Sequence, residues 1–241
     1  MSLTSHRSVR YDVKIAMLIF TILVTSSIAG QNLINVFGHN IATGMLLFPL
    51  TFPLVAAATE LYGFEYTRSI IWTAAFCNML MVFMIFLFTI IPSSRAYVGD
   101  PVLYHKFCDR LSYLVLISTF AYLISEYVNA RIISKLGIWT SGNFLLFRAL
   151  ASISVAIMID TWLIFPFFIS RQKMLSVAIG ETFIDMFVKI GYEILLLPLF
   201  WLLVEYVRYK EGRYYQEQLP ECSSSYSSVH YLQIESGILG T

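Results

Sequence analysis

Long apolar stretches alternate with short polar ones along the chain, and each is long enough to cross a bilayer core as a helix of about 20 residues. The pattern predicts six spans, at residues 13–36, 41–62, 68–91, 111–136, 144–168 and 181–207. Between them lie a turn at Tyr62-Gly63, a longer loop at 92–110, and polar breaks at 137–143 and 171–180. Residues 1–12 form a polar N-terminal segment. Residues 208–241 form a polar tail rich in Tyr, Ser and Glu, with a low-complexity run at 223–228, and this composition reads as disordered. The chain is therefore read as an all-α integral membrane protein, a bundle of about six transmembrane helices at 13–207 lodged in a lipid bilayer.

Two spans carry marks beyond hydrophobicity. In the first, Lys14, the apolar run 15–24 and Ser27-Ile28-Ala29 imitate a cleaved leader. The apolar pattern continues through Leu33, Ile34 and Val36, which favours a retained span. Gln31-Asn32 either lines a cavity or marks the end of the helix. In the second span Pro49 and Pro53 lie four apart. Each lacks a backbone donor and clashes with the carbonyl four residues back, so the helix is expected to kink or break. Interrupted helices point to transport sites, where freed carbonyls meet protein or water; a plain kink is the alternative. Ala56, Ala57 and Ala58 allow another helix to approach closely. In the 92–110 loop, Gly99-Asp100-Pro101 signals a turn. Tyr97, Tyr104 and Phe107 lay this loop on the membrane surface, or it forms a lid.

Composition agrees with the pattern. Hydrophobic residues make up 58% of the 241 and charged residues 13%, about half the charged share of soluble domains. A net charge of +1 without a basic stripe gives no reason to expect a nucleic-acid partner. The cysteines at 77, 108 and 222 are too scattered for a metal site or a disulfide framework. The histidines at 6, 39, 105 and 230 fall outside the predicted spans. No phosphate-binding Gly-rich loop and no Ser-His-Asp set occurs. No enzyme and no cofactor are expected.

What remains is a set of polar groups inside apolar helices. A carboxylate at the centre of a membrane helix costs about 3 kcal/mol on insertion scales and usually faces a bundle interior or a partner. Asp160 in span 5 is the first such residue. Arg148 lies twelve residues earlier on the same span, about 18 Å along the axis, so each needs a partner elsewhere. Glu126 and Asn129 are three apart and share a face, with Tyr122 and Ser125 beside them. Asp185, Lys189 and Glu193 recur at spacing four on one stripe and can pair in sequence. Glu60 ends span 2, where it is either functional or solvated. One reading makes these groups structural ion pairs between helices. The other makes Glu60, Glu126, Asn129, Asp160, Lys189 and Glu193 the lining of a small solute-binding cavity. For orientation, Arg7, Arg10, Lys14, Arg68, Arg131, Lys135, Arg208, Lys210 and Arg213 fall on the side of the termini, nine in all. Arg95, Lys106, Arg110, Arg171 and Lys173 make five on the other. Both termini are expected in the cytoplasm.

The segments FPLTFPLVAAATELYG at 48–63 with Arg68, FAYLISEYVNARIISKL at 120–136, Arg148-x-x-x-Ser152 through Ile159-Asp160-Thr161, and Lys189 ahead of Pro198 stand in the order and spacing of a known family. Over residues 15–207 the chain resembles the queuosine precursor transporter family, also called the vitamin uptake transporters. The resemblance implies a six-helix inner-membrane importer, similar in architecture to the substrate-binding subunits of vitamin importers. Its implied substrate is a 7-deazaguanine base used to make queuosine in tRNA. The chain departs from the family at Ala56, where the family has Asp, with Glu60 one turn later. It departs again at Glu126 and Asn129, where the family has Gln and Asp, and at Ile157 in place of Gln. Asp160 and Thr161 are kept. These departures leave the ligand open among 7-cyano-7-deazaguanine, its aminomethyl derivative and queuine; the last two carry an amine that Glu126 would favour. For such a ligand, Asp160 is expected to accept two parallel N–H groups of the ring, with Glu60 or Glu126 second. Asn129 or Thr161 would bond the ring's carbonyl edge, and Tyr122, Tyr127 or Trp162 would stack on its face. Lys189 would neutralise the acids. A transporter of another flat vitamin-like solute, or a membrane assembly subunit, are the other readings. A homo-oligomer or an energising partner is left open by the sequence.

Overall fold

A computed structural model describes residues 11–36, 39–91, 100–171 and 175–222. It divides into two compact units, Asp12–Val204 and a second formed by Met1–Tyr11 with Glu205–Thr241. The first unit carries the membrane bundle. Six segments are long and apolar enough to cross a membrane: Asp12–Ala29, Gly44–Tyr62, Phe64–Ile90, Val102–Trp139, Leu145–Pro166 and Leu175–Glu211. The protein is a multi-pass, all-α membrane protein, with one short hairpin as its exception among the described residues.

Helix α1 (Asp12–Ala29) buries Ile15, Ile19, Leu23, Ser26 and Ser27 on one face. It stops seven residues before the predicted end at 36. Gly30 donates to the Ser26 carbonyl at 2.8 Å, and Gln31 and Asn32 fold into tighter turns on Ile28 and Ala29. The β-branched stretch beyond then pairs as a hairpin, β1 (Leu33–Val36) against β2 (His39–Ala42), with Leu33 opposite Ala42. Apolarity alone does not separate a membrane helix from a short β-ribbon, and here Gly30 with Gln31-Asn32 ends the helix. Span 2 correspondingly starts at 44 rather than 41.

The double-proline segment is interrupted, as expected. Helix α2 (Gly44–Leu47) gives way to a 3₁₀ turn at Phe48–Leu50, and α3 (Thr51–Tyr62) follows. Gly44 lies against the end of α1, where a Cβ would sit 2.3 Å from the Ser26 carbonyl oxygen and 3.0 Å from Gly30. Both obstacles are backbone, so one element must move to admit a methyl group. We expect Gly44→Ala to cost about 1–3 kcal/mol by overpacking; thermal unfolding of the detergent-solubilised variant against Gly180→Ala, where nothing lies within 4 Å, measures it. Equal midpoints would refute the close packing.

Gly63, at φ +84°, turns α3 into α4 (Phe64–Ile90); left-handed backbone of this kind suits glycine. Helix α5 (Pro101–Trp139) begins ten residues before the predicted start at 111. Asp100 caps it, its Oδ1 accepting from the Val102 amide at 2.9 Å, with Pro101 in the first turn. The Asp-Pro pair is thus a helix start, and Tyr104 and Phe107 belong to that helix rather than to a loop. Tyr97, and with it the first half of the predicted surface loop or lid, lies outside the described residues. Helix α6 (Leu145–Arg171) and helix α7 (Leu175–Cys222) complete the order. Helix α7 continues through 208–222, where the sequence reads as a disordered tail. Glu, Gln, Lys, Arg and Leu in this stretch are good helix formers without being apolar. The low-complexity run at 223–228 lies outside the described residues. In the second unit the Tyr11 ring meets Tyr206 edge-on at 6.0 Å, and its amide donates to Glu211 at 3.3 Å.

Within the first unit α5 is the central element, packed on α3, α4 and α6. Both α5 and α6 bury small residues, Ala121 and Ser125 on one helix and Ala149, Ser152 and Ala156 on the other. Small side chains let two membrane helices approach closely. Asn78 on α4 donates to Thr119 on α5 at 2.7 Å, with both side chains buried. Helix α7 makes little close backbone approach to the others. Its inward side carries Asp185, Lys189 and Glu193 and then Phe200 and Val204 of the apolar core, while Phe187, Leu195 and Leu199 on its other sides are exposed, as a lipid-facing surface requires.

A buried acidic cluster as the candidate functional site

The interruption in the second span gives the site its first wall. It brings Phe48, Thr51 and Phe52 against the inner face of α5, where Tyr122, Ser125, Glu126 and Asn129 have no exposure. Both oxygens of Glu126 are occupied. Oε1 accepts from the Thr51 hydroxyl at 2.7 Å, and Oε2 accepts from Asn129 Nδ2 at 3.0 Å. The same Asn129 amide donates to the Phe52 carbonyl at 3.1 Å, tying α5 to the start of α3. Asn129 Oδ1 has no partner.

Helices α6 and α7 supply the other wall. Lys189 Nζ stands 2.9 Å from Asp160 Oδ2 and 2.9 Å from Asp185 Oδ2. This one ammonium links the two helices and serves two carboxylates. It also lies 5.9 Å from the centre of the Phe48 ring, within range of a cation–π attraction. The Phe48 ring in turn meets Tyr122 edge-on at 6.4 Å. Asp160 keeps Oδ1 without a partner, and the hydroxyls of Thr161 and Tyr122 have none. Glu193, one turn beyond Lys189, is 1% exposed, and neither of its oxygens is hydrogen-bonded.

The cluster is therefore formally acidic, with Glu126, Asp160, Asp185 and Glu193 around the single cation Lys189. Buried charges and polar groups without partners are costly, and they are found where a ligand or function compensates for them. The free atoms are mostly acceptors, set beside aromatic rings. Such a lining suits a flat, donor-rich, neutral or cationic solute. Among the described residues no three His, Cys, Asp or Glu side chains converge as metal ligands.

Arg148 finds its partner elsewhere. Its Nη2 lies 3.1 Å from Glu60 Oε1 and 3.2 Å from the Gly142 carbonyl oxygen. A Cβ at Gly137 would come within 2.6 Å of the guanidinium, so glycine makes its room. Glu60 stands nine residues after Thr51 on α3, about 13 Å along the axis. The structure brings Glu126, Asn129, Asp160 and Lys189 into one cluster, with Thr161 buried next to Asp160, and sets Glu60 in an ion pair with Arg148. Of the expected stacking residues only Tyr122 is buried. Tyr127 meets Phe64 at 5.5 Å and Trp162 meets Phe165 at 5.5 Å, both partly exposed. Thr51 was not foreseen as a donor, and no pattern in its Pro-rich surroundings marks it. Asp185 and Glu193 are legible as a stripe with Lys189, but of the two expected pairs only Asp185–Lys189 forms, because Lys189 turns to Asp160 and leaves Glu193 without a partner.

The chain matches the model of a family described as "Putative vitamin uptake transporter" over residues 42–203. That stretch holds the interrupted helix and every member of the acidic cluster. No curated protein and no solved structure matches the chain.

Proposed function

Because the chain belongs to the vitamin uptake transporter family, a multi-pass membrane family that moves small molecules, we propose that it imports a 7-deazaguanine base for tRNA modification. The substrate is a queuosine precursor or queuine. The observation that carries this reading is the cluster of unpartnered acceptors, Asp160 Oδ1, Asn129 Oδ1 and both oxygens of Glu193, beside the rings of Phe48 and Tyr122. A guanine-like ring presents N–H donors along its edges and a flat face for aromatic contact, which complements such a lining. The surplus of carboxylates over the single ammonium favours the aminomethyl compound and queuine, whose amines are cationic, over the cyano compound. In this reading Asp160 meets the ligand with its free oxygen. Asn129 and Thr161 serve its polar edge, Glu126 adds negative charge, and Lys189 holds the acids in place. Glu60 acts through Arg148. In this reading the protein sits in the inner (cytoplasmic) membrane with both termini inside, on the Lys and Arg asymmetry of its sequence.

The test is the queuosine content of tRNA in a bacterial strain that can neither make the base nor import it. The chain is expressed there and each 7-deazaguanine is supplied at low concentration; for queuine the strain also carries a transglycosylase that accepts it. Restored queuosine with the aminomethyl compound or queuine, at concentrations where the cyano compound fails, is the expected result. Protein present in the membrane with no restoration by any of the three would reject the substrate and direct attention to another flat solute.

A further inference from the structure

The geometry points to Glu193 as the residue that reads the paired N–H edge of the base, and so selects rings bearing an exocyclic amino group. This rests on the substrate reading above and assigns one edge of that substrate to one side chain. A bidentate pair needs a carboxylate with both oxygens free. Glu126 has each oxygen committed, to Thr51 and to Asn129. Asp160 has one oxygen on Lys189, and Asp185 is paired with the same ammonium. Asp185 keeps Oδ1 free but holds the ammonium with Oδ2, whereas Glu193 has no hydrogen bond and no ion pair on either oxygen. It is 1% exposed and stands one turn from Lys189 on the same stripe of α7, so it belongs to the bundle interior and not to the lipid face of α7. The ring N–H and the exocyclic N–H of a guanine-type ring are parallel donors at the spacing of two carboxylate oxygens. Removing the exocyclic amine leaves one of the two oxygens unmatched in a buried site, a loss that discriminates strongly between ligands. Asp160 then contacts a different part of the ligand with its single free oxygen.

The experiment compares 7-deazaguanine with 7-deazahypoxanthine, which differs by that amino group alone, in calorimetric binding to the full chain in nanodiscs. The wild-type chain is expected to prefer 7-deazaguanine by about tenfold or more. In Glu193→Gln, which keeps size and one acceptor, the preference should fall to about threefold or less, through weaker binding of 7-deazaguanine with 7-deazahypoxanthine little changed. Glu193→Asp, which keeps the carboxylate, should retain a preference. Asp160→Asn should weaken both ligands alike. A Glu193→Gln chain that is folded by thermal unfolding and still discriminates as the wild type does would overturn the assignment while leaving the substrate reading standing. A wild-type chain that binds neither compound, or binds both equally, also overturns the assignment, while the substrate reading stands or falls by the queuosine test above.

Discussion

Lys189→Met destabilises the membrane bundle by about 3–5 kcal/mol, the expected cost of stranding buried charges by removing their partner. Two carboxylates depend on this one ammonium. Asp160 and Asp185 each stand 2.9 Å from Nζ, on different helices, and all three side chains are at most 3% exposed. Helix α7 has little close backbone approach to the rest of the bundle, so side chains hold it, this link at one level and Phe200 and Val204 in the apolar core at another. The cost is read from reversible unfolding in mixed micelles, as a shift in midpoint at unchanged slope. The triple variant Lys189→Met with Asp160→Asn and Asp185→Asn separates charge from packing. It removes the stranded charges while keeping the carboxylate shapes, and should recover most of the lost stability. A single variant as stable as the wild type would mean that Lys189 is solvated and that the two contacts contribute little.

The membrane class and the six spans were legible in the sequence because bilayer thickness imposes a length and an apolar composition that few other structures share. Helix ends were not, because they are set by local hydrogen bonding. Gly30 closes α1 on Ser26 ahead of an apolar stretch that then forms a hairpin. Asp100 opens α5 well outside the apolar run, and α7 continues on polar helix formers. The same division holds at the site. Periodicity placed Glu126 with Asn129, and Asp185 with Lys189, because neighbours three and four apart share a face whatever the fold. It could not say which faces meet. Lys189 reaches across to Asp160, and Arg148 to Glu60, 88 positions away. Thr51 meets Glu126 across 75 positions, and only the break after Phe48–Leu50 sets that hydroxyl at the right place. The prolines announced the break without announcing what it exposes. Glu193 was visible as the third member of a stripe. That it lacks a partner is a property of the assembled cluster, and no spacing rule contains it.

Asp160→Asn lowers substrate import about 10- to 100-fold at low substrate, the equivalent of one charge-assisted hydrogen bond of about 1.5–3 kcal/mol, and leaves the protein inserted and folded. The two halves of this expectation have separate causes. Lys189 keeps Asp185 when Asp160 is neutralised, and the asparagine oxygen can still accept from the ammonium, so no unpaired cation remains. The ligand contact has no such reserve, because Asp160 Oδ1 is its only oxygen without a partner. Asp185→Asn is the control. It removes the same charge from the same ammonium, but by the proposed geometry it contacts no ligand, so import should stay within about threefold of wild type, the scale of an indirect perturbation. Initial uptake rates of labelled base, normalised to membrane protein, decide the matter. If both variants fall together, the cluster responds to its total charge and Asp160 has no special position. If Asp160→Asn transports normally at equal abundance, the ligand does not meet this carboxylate, and the interrupted helix with Glu126 and Glu193 becomes the remaining place to look.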